Sequence, residues 1–258
     1  GQNGSMKIGD ITGGRTFKDF EVGFKVYISD STCCGSEDDF SEEHRPADGW
    51  SLSIGNDLPD TIGLAEEGAG SGIRICFDTW DSGGGEAPAI DVWNGVQGQV
   101  GDGDQGAWSG GLFVRQNFGG VTGASDEDKF KDPDTGELVF MWTHGEWVDF
   151  SLKILGGQLS INYKGYQMIN ETLPPGWPAL TAPEWLFAGR TGGANAAHWV
   201  DDFYVKVYKP SGPIVSGFEG TASGVSVSLT DAEGNGLVAD SVTAKFDGAA
   251  VDVSSSKD

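Results

Sequence analysis

The stretch Gly72–Gly95, GIRICFDTWDSGGGEAPAIDVWNG, decides the fold. Ile73, Ile75 and Phe77 recur at every second position, so they share one face of an extended segment. Ser82-Gly83-Gly84-Gly85 interrupts regular structure, and Ala89–Gly95 then reads as a second strand. The same grammar runs outward in both directions. Phe17, Phe20, Val22, Phe24, Val26 and Ile28 alternate on the N-terminal side, followed by a polar, acidic loop over 30–45 and the strand GWSLSIG over 49–55. On the other side come GLFVRQNF (111–118), WVDFSLKIL (147–155), QLSINYKG (158–165), YQMINETL (166–173), WLFAGR (185–190) and HWVDDFYVKVYK (198–209). Gly156-Gly157 is placed to turn a hairpin. Residues 122–137 read as acidic turns, and the prolines of 174–185 break regular structure. Nothing offers an amphipathic helix of about ten residues. Short strands at this spacing predict an all-β protein, a two-sheet sandwich or jelly roll.

Composition narrows the function. Sixteen Lys+Arg against 39 Asp+Glu give a net charge of −23. That balance excludes a nucleic-acid binder, which needs cations to neutralise phosphates, and argues against docking on anionic lipid. No apolar run approaches the roughly 18–20 residues of a bilayer span, and no signal peptide is expected at the N-terminus. Glycine accounts for 42 of 258 residues, against a usual ~7%, which suits strands joined by tight turns. Excess acid in glycine-rich loops serves solubility, and it also supplies the oxygen ligands that calcium prefers. Cys33, Cys34 and Cys76 contain no CxxC pair, so a structural zinc site is not expected. The open alternatives are a buried, free Cys76, a Cys33–Cys34 bridge, or a bridge from one of these to Cys76.

Residues 1–11 read as a flexible lead and 12–210 as the sandwich. Composition shifts at Pro210. Every Trp lies before residue 200, and the tail 211–258 holds Phe218 and Phe246 as its aromatics. Its Val/Ala/Ser strands around Gly234-Asn235-Gly236 read as the start of an Ig-like β repeat, too short to be independent without further chain.

Three segments, in order, resemble the concanavalin A-like lectins, legume-type and bacterial LamG-like domains among them. Arg45-Pro46-Ala47-Asp48-Gly49-Trp50 is similar to their "PADG". Ile75–Asp81 followed by Glu86–Val92 is similar to the metal-loop pattern "EFDT…GIDV". Arg190–Asn195 with His198–Asp201 resembles a late sugar-site loop and closing strand. The resemblance spans about 12–210 and implies a concanavalin A-like two-sheet jelly roll that binds polysaccharide or glycoprotein glycans. It implies Asp48 as acceptor for sugar hydroxyls, after a cis Ala47–Asp48 bond. Gly49 lies beside it, N–H groups come from Gly192 and Gly193, an amide from Asn195, and a stacking ring from Trp80. The transition-metal ligands of the legume pattern are replaced by Cys76 and Ala87, so that site is expected to be missing. The calcium side is retained: Asp78, the Trp80 carbonyl, Asp81 and Glu86 would hold Ca2+, with Asp91 a weaker candidate.

An enzyme is the lesser expectation. Glucanases on this fold carry "ExDxxE", and here the leading Glu is missing. Lyase bases such as Arg115, Lys153, Tyr163 or Lys164 arise by chance as readily, and His44, His144 and His198 form no legible triad. His198 reads as structural or at a rim. Trp50, Trp142, Trp147 and Trp199 read as core, as do Trp80 and Trp93 unless one stacks on a pyranose. Asp132–Glu137 and Asp102-Gly103-Asp104 read as plain turns. The expected role is calcium-assisted, non-catalytic glycan recognition in an extracellular or cell-surface protein, bacterial by resemblance, with further domains or neighbouring copies as companions. The alternatives are an adhesive or surface-layer module without sugar binding, and a glycoside hydrolase or lyase.

Overall fold

Apolar alternation becomes paired strand along most of the chain. The computed structural model describes residues 2–29, 47–60, 65–80, 87–94, 112–120, 127–175, 177–192 and 196–208, and the strands 214–221, 224–230, 244–246 and 249–251. The strands are β1 (Gln2–Ile8), β2 (Thr16–Phe17), β3 (Phe20–Ile28), β4 (Gly49–Gly55), β5 (Ile73–Asp78), β6 (Ala89–Asn94), β7 (Leu112–Asn117), β8 (Val148–Leu155), β9 (Gln158–Tyr163), β10 (Tyr166–Thr172), β11 (Leu180–Thr181), β12 (Glu184–Thr191) and β13 (His198–Val207). Eleven of them build a six-stranded sheet, β1-β12-β4-β5-β6-β7, and a five-stranded sheet, β10-β9-β8-β3-β13, while β2 and β11 pair separately. The chain runs β4 to β7 within the first sheet and β8 to β10 within the second, and crosses between the sheets from β3 to β4, from β7 to β8 and from β12 to β13.

In β3, Phe20, Val22, Phe24, Val26 and Ile28 point inward and Glu21, Lys25 and Tyr27 outward. Phe24 meets Trp50, Phe77 and Phe187 of the facing sheet with centroids 5.4–6.5 Å apart. Those contacts close the core between the two layers. The six-stranded sheet is covered on its other side too. Ser51 Oγ donates to the Ala65 carbonyl, the Ala69 N–H donates to Ser53 Oγ, and the Cys76 thiol reaches the Glu67 carbonyl. This explains why every residue of β4 is buried, polar ones included.

Several expectations change. Gln2–Ile8 is no flexible lead: it pairs with β12 in register from Gln2–Thr191 to Ile8–Trp185. Its backbone completes a sheet edge, so a polar sequence without a strong strand pattern is enough. Trp147 and Trp199 are not core. Trp199 pairs with Tyr27 on the solvent side of the five-stranded sheet, and the two tryptophans are 43% and 54% exposed. With Tyr27 they form an outward aromatic cluster, Tyr27 and Trp199 stacking at 4.6 Å. The strand pattern of 198–209 is broken by a bulge between Asp201 and Tyr204. There Asp202 takes φ 53°, and the extra residue restores the inward phase for Phe203, Val205 and Val207. Cys76 is a buried free thiol, which removes the bridge from Cys76. Cys33, Cys34 and the loop 30–45 lie outside the described residues.

The chain divides into two compact units, Gly1–Tyr208 and Lys209–Asp258. The second contains two hairpins, β14 (Ile214–Thr221) with β15 (Gly224–Thr230) and β16 (Ala244–Phe246) with β17 (Ala249–Val251).

Glu21 anchors the outer face of the five-stranded sheet. It accepts from Tyr204 and Tyr208 hydroxyls at 2.7 and 2.6 Å and from Lys206 at 2.9 Å. Burial pushes its carboxyl up, but Tyr208, Lys206 and Tyr204 outweigh it and hold the pKa down at about 2, from an ordinary 4.5. A depressed carboxylate contributes stability that is complete above pH 4.5 and is lost as pH falls toward 2. Glu21→Gln should therefore destabilise by about 1–2 kcal/mol at neutral pH. Denaturant midpoints across pH 2–7 should show the variant and the parent converging at the acid end.

Candidate functional site

At one end of the six-stranded sheet, Asp48 ties three strands together through its backbone. Its N–H donates to the Arg190 carbonyl at 3.0 Å, and its carbonyl accepts from the Thr79 and Trp80 N–H groups at 3.0 and 3.1 Å. The Ala47–Asp48 peptide is cis, as is Ala87–Pro88. Gly49 follows because nothing larger fits. A Cβ there would strike the Phe77 carbonyl oxygen and come within 3.2 Å of Glu66 Cβ.

The Asp48 side chain is held on one oxygen. Arg190 Nε donates to Oδ2 at 3.0 Å, and Arg190 Nη2 pairs with Glu66 Oε1 at 2.9 Å. Oδ1 has no hydrogen-bond partner among the described residues. Gly192 lies against this carboxylate, where a Cβ would sit 2.6 Å from Oδ1 and 2.9 Å from Oδ2. The Asp48 side chain is 13% exposed and that of Glu66 8%. Burial pushes the Glu66 carboxyl above its ordinary range. Its own backbone N–H and the Arg190 charge pull it back, and the Asp48 charge adds to the rise.

The structure thus gathers Asp48, Gly49, Asp78, Trp80 and Gly192 at one sheet end. Asp78 pairs with Gly49 across β4–β5, and its Oδ1 accepts from the Trp80 N–H at 3.3 Å. Trp80 is half-buried rather than core, whereas Trp93 is core, with the Arg74 guanidinium 5.5 Å from its ring centroid. Gly193, Asn195, Asp81 and Glu86 lie outside the described residues, as do Trp108 and Asp102–Asp104. Asp91 is engaged by an arginine. Arg115 grips it through both carboxylate oxygens at 2.8 and 2.6 Å, on the buried outer side of β6. Among the described residues no group of three or more His, Cys, Asp or Glu stands together as a metal site.

Other acidic candidates behave as turns. Asp132 Oδ1 accepts from the Asp134 and Thr135 N–H groups, and Oδ2 accepts from the Tyr166 hydroxyl. His198 sits on the inner side of β13, and burial lowers its pKa to about 4. Two residues of the site had no assigned role in the sequence. Arg190 opens the Arg-Thr-Gly-Gly segment, and its position before the glycines was the available clue. Glu66 carried no signal, because it reaches the site from a short 3-10 turn, Ala65–Glu67, folded back over β4.

Comparisons bear on this geometry. No protein-family model matches the sequence, and neither does any curated protein. Among solved structures, the carbohydrate recognition domain of Emp47p is similar at 10% identity and TM-score 0.52, covering 80% of this chain and 78% of that one. This chain has the concanavalin A-like fold. The VIP36 exoplasmic/lumenal domain in its Ca2+/Man-bound form is similar at 13% identity and TM-score 0.49, covering 83% and 75%. A tetrameric galectin from the ball sponge Cinachyrella sp. is similar at 13% and 0.38, covering 81% and 100%. Asp48 and Asp78 stand at the neighbouring ends of β4 and β5.

Arg190 pairs with two carboxylates at once, so its loss removes the cation that both share in a poorly solvated corner. Arg190→Ala should lower stability by about 1–3 kcal/mol, and Arg190→Lys should recover less than half, because a single ammonium replaces a planar fork. Thermal melts of both variants at pH 7 check this.

Proposed function

We propose that the sandwich is a non-catalytic, lectin-like module that recognises polysaccharide or glycoprotein glycans at the Asp48 end of the six-stranded sheet. One observation carries the proposal. Arg190 fixes a carboxylate through Oδ2, leaves Oδ1 without a partner among the described residues, and stands it against a glycine with no side chain to block approach. A sugar presents hydroxyl pairs to such an acceptor. Gly192 and Gly193 would supply N–H groups, Asn195 an amide, and half-buried Trp80 a ring face. The concanavalin A-like fold supports this reading by analogy of scaffold alone.

Calcium assistance is part of the proposal. The donors at hand are oxygens, the Asp78 carboxylate and the Trp80 carbonyl, with Asp81 and Glu86 completing the set, and calcium takes about 6–8 oxygen ligands at flexible geometry. When bound, the ion would supply fixed positive charge among these oxygens. The chain's own residues do the recognition: Asp48 accepts, the glycines admit the ring, and Arg190 prevents the carboxylate from turning. We place the module in a secreted or cell-surface multidomain protein, with the tail as the opening of an Ig-like repeat.

A second reading rests on the same ion pair. Asp48–Arg190–Glu66 closes the sheet end with or without a ligand, which is what a surface-layer or adhesive module without sugar binding would need. Catalysis is disfavoured because both carboxylates of this corner are bound to one guanidinium, which keeps them from trading protons.

A glycan array of the full chain, with and without EDTA, separates the readings. The lectin reading expects hits that EDTA weakens and that Asp48→Asn and Gly192→Val remove, with melting temperatures within a few degrees of the parent. Hits that survive Asp48→Asn would remove this corner from the site, and an array without hits would favour the scaffold. Asp78→Ala should weaken calcium binding by at least about tenfold in calorimetry; an unchanged titration overturns the metal assignment.

A further inference from the structure

Strand β10 carries a short pattern that the Asp48 corner does not use. Asn170-Glu171-Thr172 has the form Asn-x-Ser/Thr with no proline at its centre, the pattern on which N-linked glycans are built. All three residues are exposed. β10 ends the five-stranded sheet, so among the described residues it pairs with β9 alone. The register fixes which way Asn170 faces. Asn170 stands opposite Ser160, Ser160 opposite Lys153, and Lys153 opposite Glu21. Paired residues share a face, and Glu21 is on the solvent side, so Asn170 is too. Its side-chain amide makes no hydrogen bond to another described residue. A second triplet of the same form, Asn3-Gly4-Ser5, lies in β1, where Asn3 pairs with Arg190 beside the corner.

Packing places Asn170 far from that corner. Phe20, next to Glu21, meets Trp185 edge-on at 6.4 Å, and Trp185 pairs with Ile54. Ile54 is at the end of β4 away from Asp48. Asn170 therefore stands at the opposite end of the sandwich, on the outer face of the other sheet. A bulky, hydrophilic group there projects into solvent and leaves the corner open. It also shields an edge strand to which another chain could otherwise add.

We propose that Asn170 is an N-glycosylation site, its donor an oligosaccharide carried on a lipid pyrophosphate. The amide nitrogen bonds to the anomeric carbon, and the bond from that carbon to the pyrophosphate oxygen breaks. The bonding pair leaves with the lipid pyrophosphate, one amide proton goes to a base of the transferase, and nothing is oxidised or reduced. In the folded hairpin the Thr172 hydroxyl accepts from Gln158 Nε2 at 2.6 Å, so the transfer acts on the extended chain before β9 and β10 pair. The inference rests on the secreted or cell-surface reading and not on glycan recognition by the corner.

The test leads the full chain into the secretory pathway of cultured eukaryotic cells behind a cleavable leader. The product is read from the medium or, where little is exported, from the protease-protected microsomal fraction. The peptide containing Asn170 should carry a glycan that peptide-N-glycosidase releases, leaving an aspartate that mass spectrometry detects. Asn170→Gln and Thr172→Ala should abolish it, Thr172→Ser should keep it, and Asn3→Gln should leave it in place. Glycan-array hits should be the same before and after enzymatic release. An unmodified Asn170 in exported or protected chain overturns the proposal, and hits that appear only after release overturn the placement away from the corner. A modified Asn170 on a chain without array hits sinks the lectin reading alone; an unmodified Asn170 on a chain with hits sinks this inference alone.

Discussion

The two sheets meet through an interlocked cluster of aromatic rings on which the rest depends. Trp50 and Phe77 stack at 4.0 Å on neighbouring strands of one sheet, and Phe24 and Phe150 stack at 4.7 Å on the other. The pairs interlock, Phe24 edge-on to Trp50 and Phe77 edge-on to Phe150. Rings of this size bury much apolar surface with few rotatable bonds, so they fix the separation and slide of the layers together. Trp50 is two residues from Asp48, and Phe77 is next to Asp78. The candidate site is therefore built on the last rung of the core, and loops need to provide only its rim.

Charge is the second constraint. In a chain of net charge −23, cations are scarce, and three of them stand beside poorly solvated carboxylates. Arg115 grips Asp91 on the buried outer side of β6, Arg190 bridges Asp48 and Glu66, and Lys206 joins two tyrosines at Glu21. Breaking such a pair by removing the cation is costly because the remaining acid has no water to turn to. The exposed acids need no such partner and confer solubility by mutual repulsion. This division separates the acids that organise structure from those available to a cation in solution. Asp91 belongs to the first group.

Much of the fold was legible because a strand buried on one face must alternate. β3, β5, β8 and β9 carry that signature directly, and Gly156-Gly157 turns the hairpin with φ 57° and 77°, values that glycine adopts without steric cost. The same rule hid β1, whose mostly polar sequence pairs with β12 along its backbone and adds the Lys7–Glu184 ion pair. It also misplaced Trp147 and Trp199, since residue size says nothing about which face a strand residue takes. Of the site, Asp48 and Gly192 were legible through a resemblance of short motifs. Their supports were not, because Glu66 comes from a turn with no periodicity and the partner of Arg190 is set by tertiary packing.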